Sequence, residues 1–222
     1  TITSTNGAVS LHTDEGAIRV RENITAENNA VISTLAGNVT IGDTNTGSNG
    51  DVLSKKGDVS IKTDNGTVEI VKTVTAEEGN VEIVSGQGDI RIGSNGLANT
   101  VTAKKDVNLQ ANDGQIRIQG KTSATNITVQ AGRENYNPGS KNIAFEAEGK
   151  LDAGNDVYLI AKNGDLLVTD DVKAQGTFYA QTKEKGNITL GNDLTVQKDL
   201  SMSTEDGDIT VGQTVKAEQG TV

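Results

Sequence analysis

The chain has 222 residues and a net charge of −10; 33% of its residues are hydrophobic and 2% are aromatic. It contains no cysteine, which excludes disulfides, cysteine–zinc sites and thiol catalysis. The negative charge argues against nucleic-acid or anionic-membrane partners, and no apolar run reaches the ~20 residues that a membrane-spanning helix needs.

Three short segments follow one another from the amino terminus and then repeat. Segment C first occurs at 9–13, segment A at 16–20 and segment B at 24–26. Segment A reads Gly-x-Ile/Val/Leu-x-Ile/Val/Leu, segment B mostly reads Val/Ile/Leu-x-Ala, and segment C alternates aliphatic residues before ending in Thr, Ala or Ser. Alternation with a period of two predicts half-buried β-strands, and it argues against disorder. The fit to segment B is weak at 51–54 and at 122–124.

Nine copies of segment A extend along the whole chain. They start at Gly16, Gly37, Gly66, Gly88, Gly114, Asn142, Gly164, Gly186 and Gly207. Successive copies start 21 or 22 residues apart, except in three turns that carry insertions. A repeat of this length indicates a solenoid, and three strands in one period are too few for a propeller blade.

These observations predict an all-β fold, a right-handed parallel β-helix with three strands per turn and about nine turns of 21–22 residues. Each strand would pair in parallel with its equivalent one turn along, which gives a rod of roughly 43 Å. The crossover rule for parallel strands favours the right-handed coil. A run of antiparallel hairpins is the competing interpretation, because Asn-Gly at the corners is also a hairpin signal. Hairpins would not explain the three-part period.

The insertions are expected at corners of the coil. They comprise residues 44–49 and 94–99 between segments A and B, and residues 132–141 between segments C and A. Insertions in solenoids often form a binding face, although neutral growth of surface loops is the simpler explanation. Recurrent Gly-Asp and Gly-Asn pairs at the corners predict side chains that accept hydrogen bonds from corner amides. The nonapeptide typical of calcium-binding β-rolls is absent from the sequence, so no cofactor and no metal is expected.

The stacked Gly-Asp/Asn-Val/Ile-x-Ile/Leu unit, the cysteine-free composition and the Asn/Gly corners resemble the β-helical shaft of filamentous-haemagglutinin-type exoproteins. This class includes two-partner secretion adhesins, contact-dependent inhibition toxin shafts and autotransporter passengers. The resemblance implies export through an outer-membrane transporter, a secreted or cell-surface location, and a receptor or glycan on a host or bacterial cell as partner. It also implies a non-catalytic stalk that displays other domains.

Two features bear on catalysis. Acidic residues occur in adjacent pairs at 14–15, 77–78, 170–171 and 205–206, where corners should leave them solvated and too close together to act across a sugar. His12 is the only histidine and should point outward, which argues against a triad or a metal site. A polysaccharide lyase or hydrolase stays an alternative, because such enzymes share the coil.

The candidate binding residues are the three tyrosines. Tyr158 and Tyr179 are 21 residues apart and should stack outward on neighbouring turns beside Ile160, while Tyr136 lies in the third insertion. Phe145 and Phe178 should point inward. Together with the 132–141 loop, the tyrosines could bind a glycan or a protein. A pair that merely stabilises the sheet is the simpler interpretation.

Residues 1–222 are expected to form a single β-helix segment of a longer repeat protein, because strand patterns begin at residue 1 and stop at residue 222. Open coil ends would leave backbone groups unpaired, so end-to-end self-association of the segment is a further expectation.

Overall fold

The computed structural model describes residues 1–42, 50–93, 99–132 and 149–222, together with the backbone of 145–147. These residues form 28 strands, and no helix occurs among them. The strands lie in three sheets, called here the A, B and C sheets after the segments that supply them.

Each sheet collects one strand from every turn. The B sheet consists of β1 (Ile2–Ser4), β4 (Ile24–Ala26), β7 (Val52–Ser54), β10 (Val74–Ala76), β13 (Thr100–Ala103), β16 (Lys121–Ala124), β19 (Leu151–Ala153), β22 (Val172–Ala174), β25 (Leu194–Val196) and β28 (Val215–Ala217). The C sheet consists of β2 (Val9–Glu15), β5 (Ala30–Ala36), β8 (Val59–Asn65), β11 (Val81–Ser85), β14 (Asp106–Ala111), β17 (Asn126–Ala131), β20 (Val157–Ala161), β23 (Phe178–Lys185) and β26 (Leu200–Asp206). The A sheet consists of β3 (Ile18–Val20), β6 (Val39–Ile41), β9 (Val68–Ile70), β12 (Ile90–Ile92), β15 (Ile116–Ile118), β18 (Phe145–Ala147), β21 (Leu166–Val168), β24 (Ile188–Leu190) and β27 (Ile209–Val211).

Every strand pairs in parallel with the equivalent strand one turn along. In the C sheet, for example, Val81 aligns with Val59 on one side and with Val107 on the other. The predicted β-solenoid of about nine turns is therefore confirmed, and antiparallel hairpins are excluded. The two weak copies of segment B also take their places in the B sheet, as β7 and β16.

The core is a set of aliphatic columns that run along the coil. Apart from the terminal turns, the inward residues of all three sheets are almost fully buried, including Phe178. Burial of one such side chain stabilises the fold by about 1.5–3 kcal/mol, so each turn contributes its own share. The small inward residues at the end of segment C have a second role, because Thr63 Oγ1 donates a hydrogen bond of 2.7 Å to the carbonyl of Gly37. Thr34 and Ser85 make the same bond to Gly16 and Gly66.

Glycines stack directly on one another at the corner between the C and A sheets. A Cβ atom at Gly66 would overlap the carbonyl oxygen of Gly37, and one at Gly88 would overlap that of Gly66. The leading glycine of segment A is therefore required by the close approach of two backbones. At Gly66 and Gly88 the corner therefore has no room for a side chain.

Asparagine and aspartate form hydrogen-bonded ladders at all three corners. At the corner between the B and C sheets, Asn29 Oδ1 accepts the Asp58 amide (3.0 Å), and Asp58 Oδ1 accepts the Asn80 amide (2.8 Å). Asn38 and Asn23 accept amides of the next turn at the other two corners. The predicted capping role is confirmed for Asp58 and Asn38, and Asn29 and Asn23 take the same role although no glycine precedes them. Either side chain serves, because both carry a carbonyl-type oxygen.

The insertions connect the strands that the sequence predicts. Residues 43–49 lie between β6 and β7, residues 94–98 between β12 and β13, and residues 133–144 between β17 and β18. These stretches lie outside the described residues. The predicted loop sites and Tyr136 lie in these stretches. The inward direction predicted for Phe145 concerns a side chain that is not described.

Candidate functional site

The predicted tyrosine pair lies on the outer face of the C sheet. Val157, Leu159 and Phe178 point inward and are fully buried, as the alternation predicts. Tyr158 aligns in register with Tyr179, and the ring centroids are 6.2 Å apart with a 45° angle between the ring planes. Tyr158 is 37% exposed, which makes it one of the few large hydrophobic residues on the surface.

A carboxylate lies beside the Tyr158 ring of this pair. The Tyr158 hydroxyl donates a long hydrogen bond of 3.4 Å to Asp156 Oδ2. Burial raises the pKa of Tyr158 above its usual value, and the negative charge and hydrogen bond of Asp156 raise it further. The phenol is therefore protonated at neutral pH, its one hydrogen is directed at Asp156, and its oxygen can still accept a hydrogen bond from a ligand or water.

The surroundings of the pair combine apolar and amide groups. Ile160 and Gln181 occupy the next outward positions along the same two strands, and both are half-buried. We call Tyr158, Ile160, Tyr179 and Gln181 the tyrosine face. It can offer ring surface and amide hydrogen bonds to one ligand, which is the combination that ligand sites usually have.

A hydrogen-bonded chain of three side chains, which the sequence interpretation did not anticipate, lies near the amino terminus. His12 Nδ1 is 2.9 Å from Ser33 Oγ, and His12 Nε2 is 3.0 Å from Asp14 Oδ1. His12 points outward as predicted, with a side chain 51% exposed. The signal that could have revealed the contact is the 21-residue separation of His12 and Ser33, which is one period of the repeat.

Among the described residues, this Ser–His–Asp chain lacks the other parts of an acyl-transfer site. Ser33 pairs with His12 on one side and with Lys62 on the other, so the backbone amides of its strand are engaged in the sheet. An oxyanion hole needs free donors aimed at the reacting carbonyl. The Asp14 side chain is 79% exposed, where water screens its effect on the imidazole. The geometry fits a surface hydrogen-bond chain better than a nucleophile.

A groove of about 390 Å³ lies on the outer face of the B sheet at β16, β19, β22 and β25, the sixth to ninth strands of that sheet, which define turns six to nine. Its charged residues come from four successive strands. We call them the charged face: Lys121, Lys150, Asp152, Asp171, Lys173 and Asp193. Two ion pairs cross between turns, from Lys121 to Asp152 and from Lys150 to Asp171, each with 3.3 Å between nitrogen and oxygen.

The acidic pairs of the sequence behave as predicted in three of four cases. The pairs at 14–15, 77–78 and 205–206 are exposed. Asp170 and Asp171 are half-buried instead, and Asp171 contributes to the charged face. Stacking thus brings acids of different turns together, and pairs of acids adjacent in the sequence do not reveal this. The signal was again the period, since Asp171 and Asp193 are 22 residues apart.

The described ranges contain neither a metal-binding cluster nor a membrane-spanning helix. No group of three or more His, Cys, Asp or Glu side chains there is arranged to hold a metal ion. In the same residues, no helix is long and apolar enough to cross a membrane.

Comparisons with known proteins add no relative. No protein-family model matches the chain, and neither curated proteins nor solved structures provide a match.

Proposed function

We propose that the chain is a non-catalytic structural and adhesive shaft of a large secreted or surface-exposed bacterial protein. The observation that carries the proposal is the unbroken parallel pairing of equivalent strands through about nine turns. A shaft must hold what it displays at a fixed distance. Continuous ladders of hydrogen bonds run along the coil axis around a buried aliphatic column. Together they resist bending of the rod.

The proposed class is that of filamentous-haemagglutinin-type exoproteins. What supports it is the combination of the coil, the Asn/Gly corners and the absence of cysteine. Export through an outer-membrane transporter and an extracellular location belong to the same proposal. A chain without cysteine crosses an oxidising compartment with no risk of wrong disulfides.

Rigidity can be measured directly, since the chain has no natural cysteine. Thr3 and Thr195 occupy equivalent outward positions eight turns apart, so cysteines placed there should be about 38 Å apart. Single-molecule energy transfer between dyes at the two sites should give one narrow distance distribution that does not change with salt. A broad or salt-dependent distribution would contradict the shaft.

Catalysis is the outcome that would overturn the proposal most directly. The purified chain should not cleave uronic-acid polymers, which are substrates of enzymes that share the coil. Product release above a no-protein control, lost on substitution of Asp152 or Asp171, would establish a polysaccharide lyase or hydrolase instead.

The second candidate function is direct binding of a glycan or protein through the tyrosine face. The specific observation is that two aromatic rings stack in register on an outward surface. A glycan array and a cell-binding assay test it. Binding should fall at least about tenfold on Tyr158→Ala or Tyr179→Ala. Binding should fall less on Tyr158→Phe, because this variant keeps the ring. Absence of binding, or binding equal in all variants, would eliminate this candidate.

End-to-end association of copies is part of the proposal as well. Ile2, Ile209 and Val211 occupy inward positions of the terminal turns and are between 40% and 44% exposed. Contact between the ends of two coils would bury these side chains. Light scattering should then show chain-like oligomers, and Ile209→Asp should reduce them.

A further inference from the structure

The charged face carries an ordered pattern of opposite charges. Two outward positions at the start of each B strand, separated by the first inward residue of the strand, form two columns along the coil. The first column reads Lys121, Lys150, Asp171 and Asp193 in turns six to nine, and the second reads Ser123, Asp152, Lys173 and Thr195. The face is neutral in total, whereas the whole chain has a net charge of −10.

This pattern is complementary to itself under one two-fold rotation. Consider an axis parallel to the strands, between turns seven and eight. The rotation keeps each column in place and reverses the order of turns. Lys150 then faces Asp171 of a second copy, and Lys173 faces its Asp152. Lys121 faces Asp193 in the same way, and the remaining pair is neutral, Ser123 opposite Thr195.

The alternative rotation, about an axis parallel to the coil, satisfies fewer charges. It exchanges the two columns and keeps the turns in order. Lys150 would face Asp152, but Lys121 would face only Ser123 and Asp193 only Thr195. The antiparallel arrangement therefore makes three kinds of ion pair, each formed twice by symmetry, whereas the parallel one makes two.

We propose that two copies of this chain associate side by side through the charged face, with their coil axes antiparallel. The evidence is the charge complementarity of six side chains on the outer face of one sheet, where Lys121–Asp152 and Lys150–Asp171 also pair within each copy, so that the contact shares these charges between the two copies. The mean charge elsewhere on the molecule is negative, so other faces repel one another and leave this face as the contact. Because the pairs are exposed, the association is weak and depends on salt. The inference does not depend on the proposed shaft function.

Single charge reversals test both the face and its orientation. Lys173→Glu places two acids opposite each other in the antiparallel dimer, and Asp152→Lys places two lysines there. Each variant alone should self-associate at least about tenfold more weakly than the natural chain, measured by sedimentation equilibrium at low salt. An equimolar mixture of the two variants should recover the natural association to within about threefold, because each reversed charge then meets its complement.

The mixture distinguishes the two arrangements. In a parallel dimer, position 173 faces Asp171 and position 152 faces Lys150, so mixing would leave like charges opposed and restore nothing. Lys198→Glu is the matched control: it makes the same charge change at an exposed site outside the face. It should leave association within about twofold of the natural chain.

Three results would overturn the inference. The first is a chain that stays monomeric at low salt up to its solubility limit. The second is association that neither reversal alters. The third is association that both reversals weaken but mixing fails to restore. Circular dichroism of each variant verifies that the coil is intact, and the exposed positions of Lys173 and Asp152 on the outer face lead us to expect that it is.

Discussion

Single residues decide whether one turn can lie directly on the next. At the corner between the C and A sheets, backbone meets backbone, and the space for a Cβ atom is already occupied. The glycine there is needed for its lack of a side chain. Its tolerance of positive φ matters at only some of the copies, such as Gly16, where φ is 100°.

Gly66→Ala should destabilise the coil by about 3 kcal/mol, because the new methyl group would overlap the Gly37 carbonyl and push two turns apart. Equilibrium urea unfolding measures this. Gly154→Ala is the control, since a Cβ there meets nothing closer than 3.7 Å. It should change the free energy of unfolding by no more than about 0.5 kcal/mol. Equal effects at the two sites would refute the stacking explanation.

Thr122 is a polar residue in an aliphatic column. It is fully buried between Val101 and Leu151, and its Oγ1 has no hydrogen-bond partner among the described residues. Thr122→Val keeps the shape and removes the unsatisfied hydroxyl, so it should stabilise the protein by about 1 kcal/mol in thermal or urea unfolding.

The matched control is Thr63→Val, also at a fully buried position. Thr63 Oγ1 donates to the Gly37 carbonyl, so its removal should destabilise by about 1 kcal/mol. Opposite signs for the same substitution would separate satisfied from unsatisfied hydroxyls. The same sign at both sites would contradict that distinction.

At the scale of elements, the corner ladders fix how one turn is placed on the next. The oxygen of each Asn or Asp accepts an amide of the following turn, at a place where the chain leaves the sheet and its backbone groups lose their strand partners. Asp58→Ala should cost about 1 kcal/mol in unfolding free energy, because the Asn80 amide loses its acceptor. Asp58→Asn should stay within about 0.5 kcal/mol, since its amide oxygen can take the same place. Equal losses for both would indicate that charge, rather than the hydrogen bond, matters.

The ladder also predicts a dependence on pH. The Thr221 amide donates to Asp199 Oδ1 (3.0 Å) and is the main cause that lowers the pKa of Asp199 below its usual 3.8; the Thr221 hydroxyl adds to it. A lowered pKa in the folded state stabilises the protein above pH 3.8 and loses this effect as the pH falls through the folded value. The unfolding free energies of the natural chain and of Asp199→Asn should therefore run parallel above about pH 5, and the difference between them should shrink below about pH 4, where only the natural chain loses this stabilisation. Parallel curves over the whole range would contradict the shift.

At the scale of the whole molecule, stability is expected to be a sum over turns and their interfaces. Phe178 and Leu200 are equivalent positions 22 residues apart, so deletion of residues 178–199 removes one complete turn and keeps the register. This variant should fold and shorten the rod by about 4.8 Å. Deletion of residues 178–188 leaves an incomplete turn and should abolish cooperative unfolding. Circular dichroism and small-angle scattering distinguish the two, and loss of folding in both would contradict the modular coil.

The local pattern contained nearly everything about the fold. Alternation decided which residues face inward, as Val157 and Leu159 show, and the 21–22-residue period decided which strands pair. Both follow from the geometry of an extended chain, in which neighbouring side chains point to opposite faces. The corner role of Asn and Asp was predictable for the same reason, because it depends on the residue and the next turn only.

The surface sites were only partly predictable. The outward tyrosine pair follows from alternation and one period of separation. The contact of His12 with Ser33, and the ordered charges of Lys150, Asp152, Asp171 and Lys173, were not anticipated. The period places these residues on neighbouring turns, but it does not decide whether their side chains meet.

The amino-acid pattern was enough to predict a coil of parallel strands, its period, its inward columns and its hydrogen-bonded corners, since each of these depends on local geometry repeated at a fixed interval. Which outward side chains on neighbouring turns reach one another, such as His12 and Ser33, was visible only in the stacked coil. The physical reason is that solvent-facing positions carry no packing constraint, so no local pattern marks them. Their chemistry arises from proximity at about 4.8 Å between turns, which only the stacked coil provides.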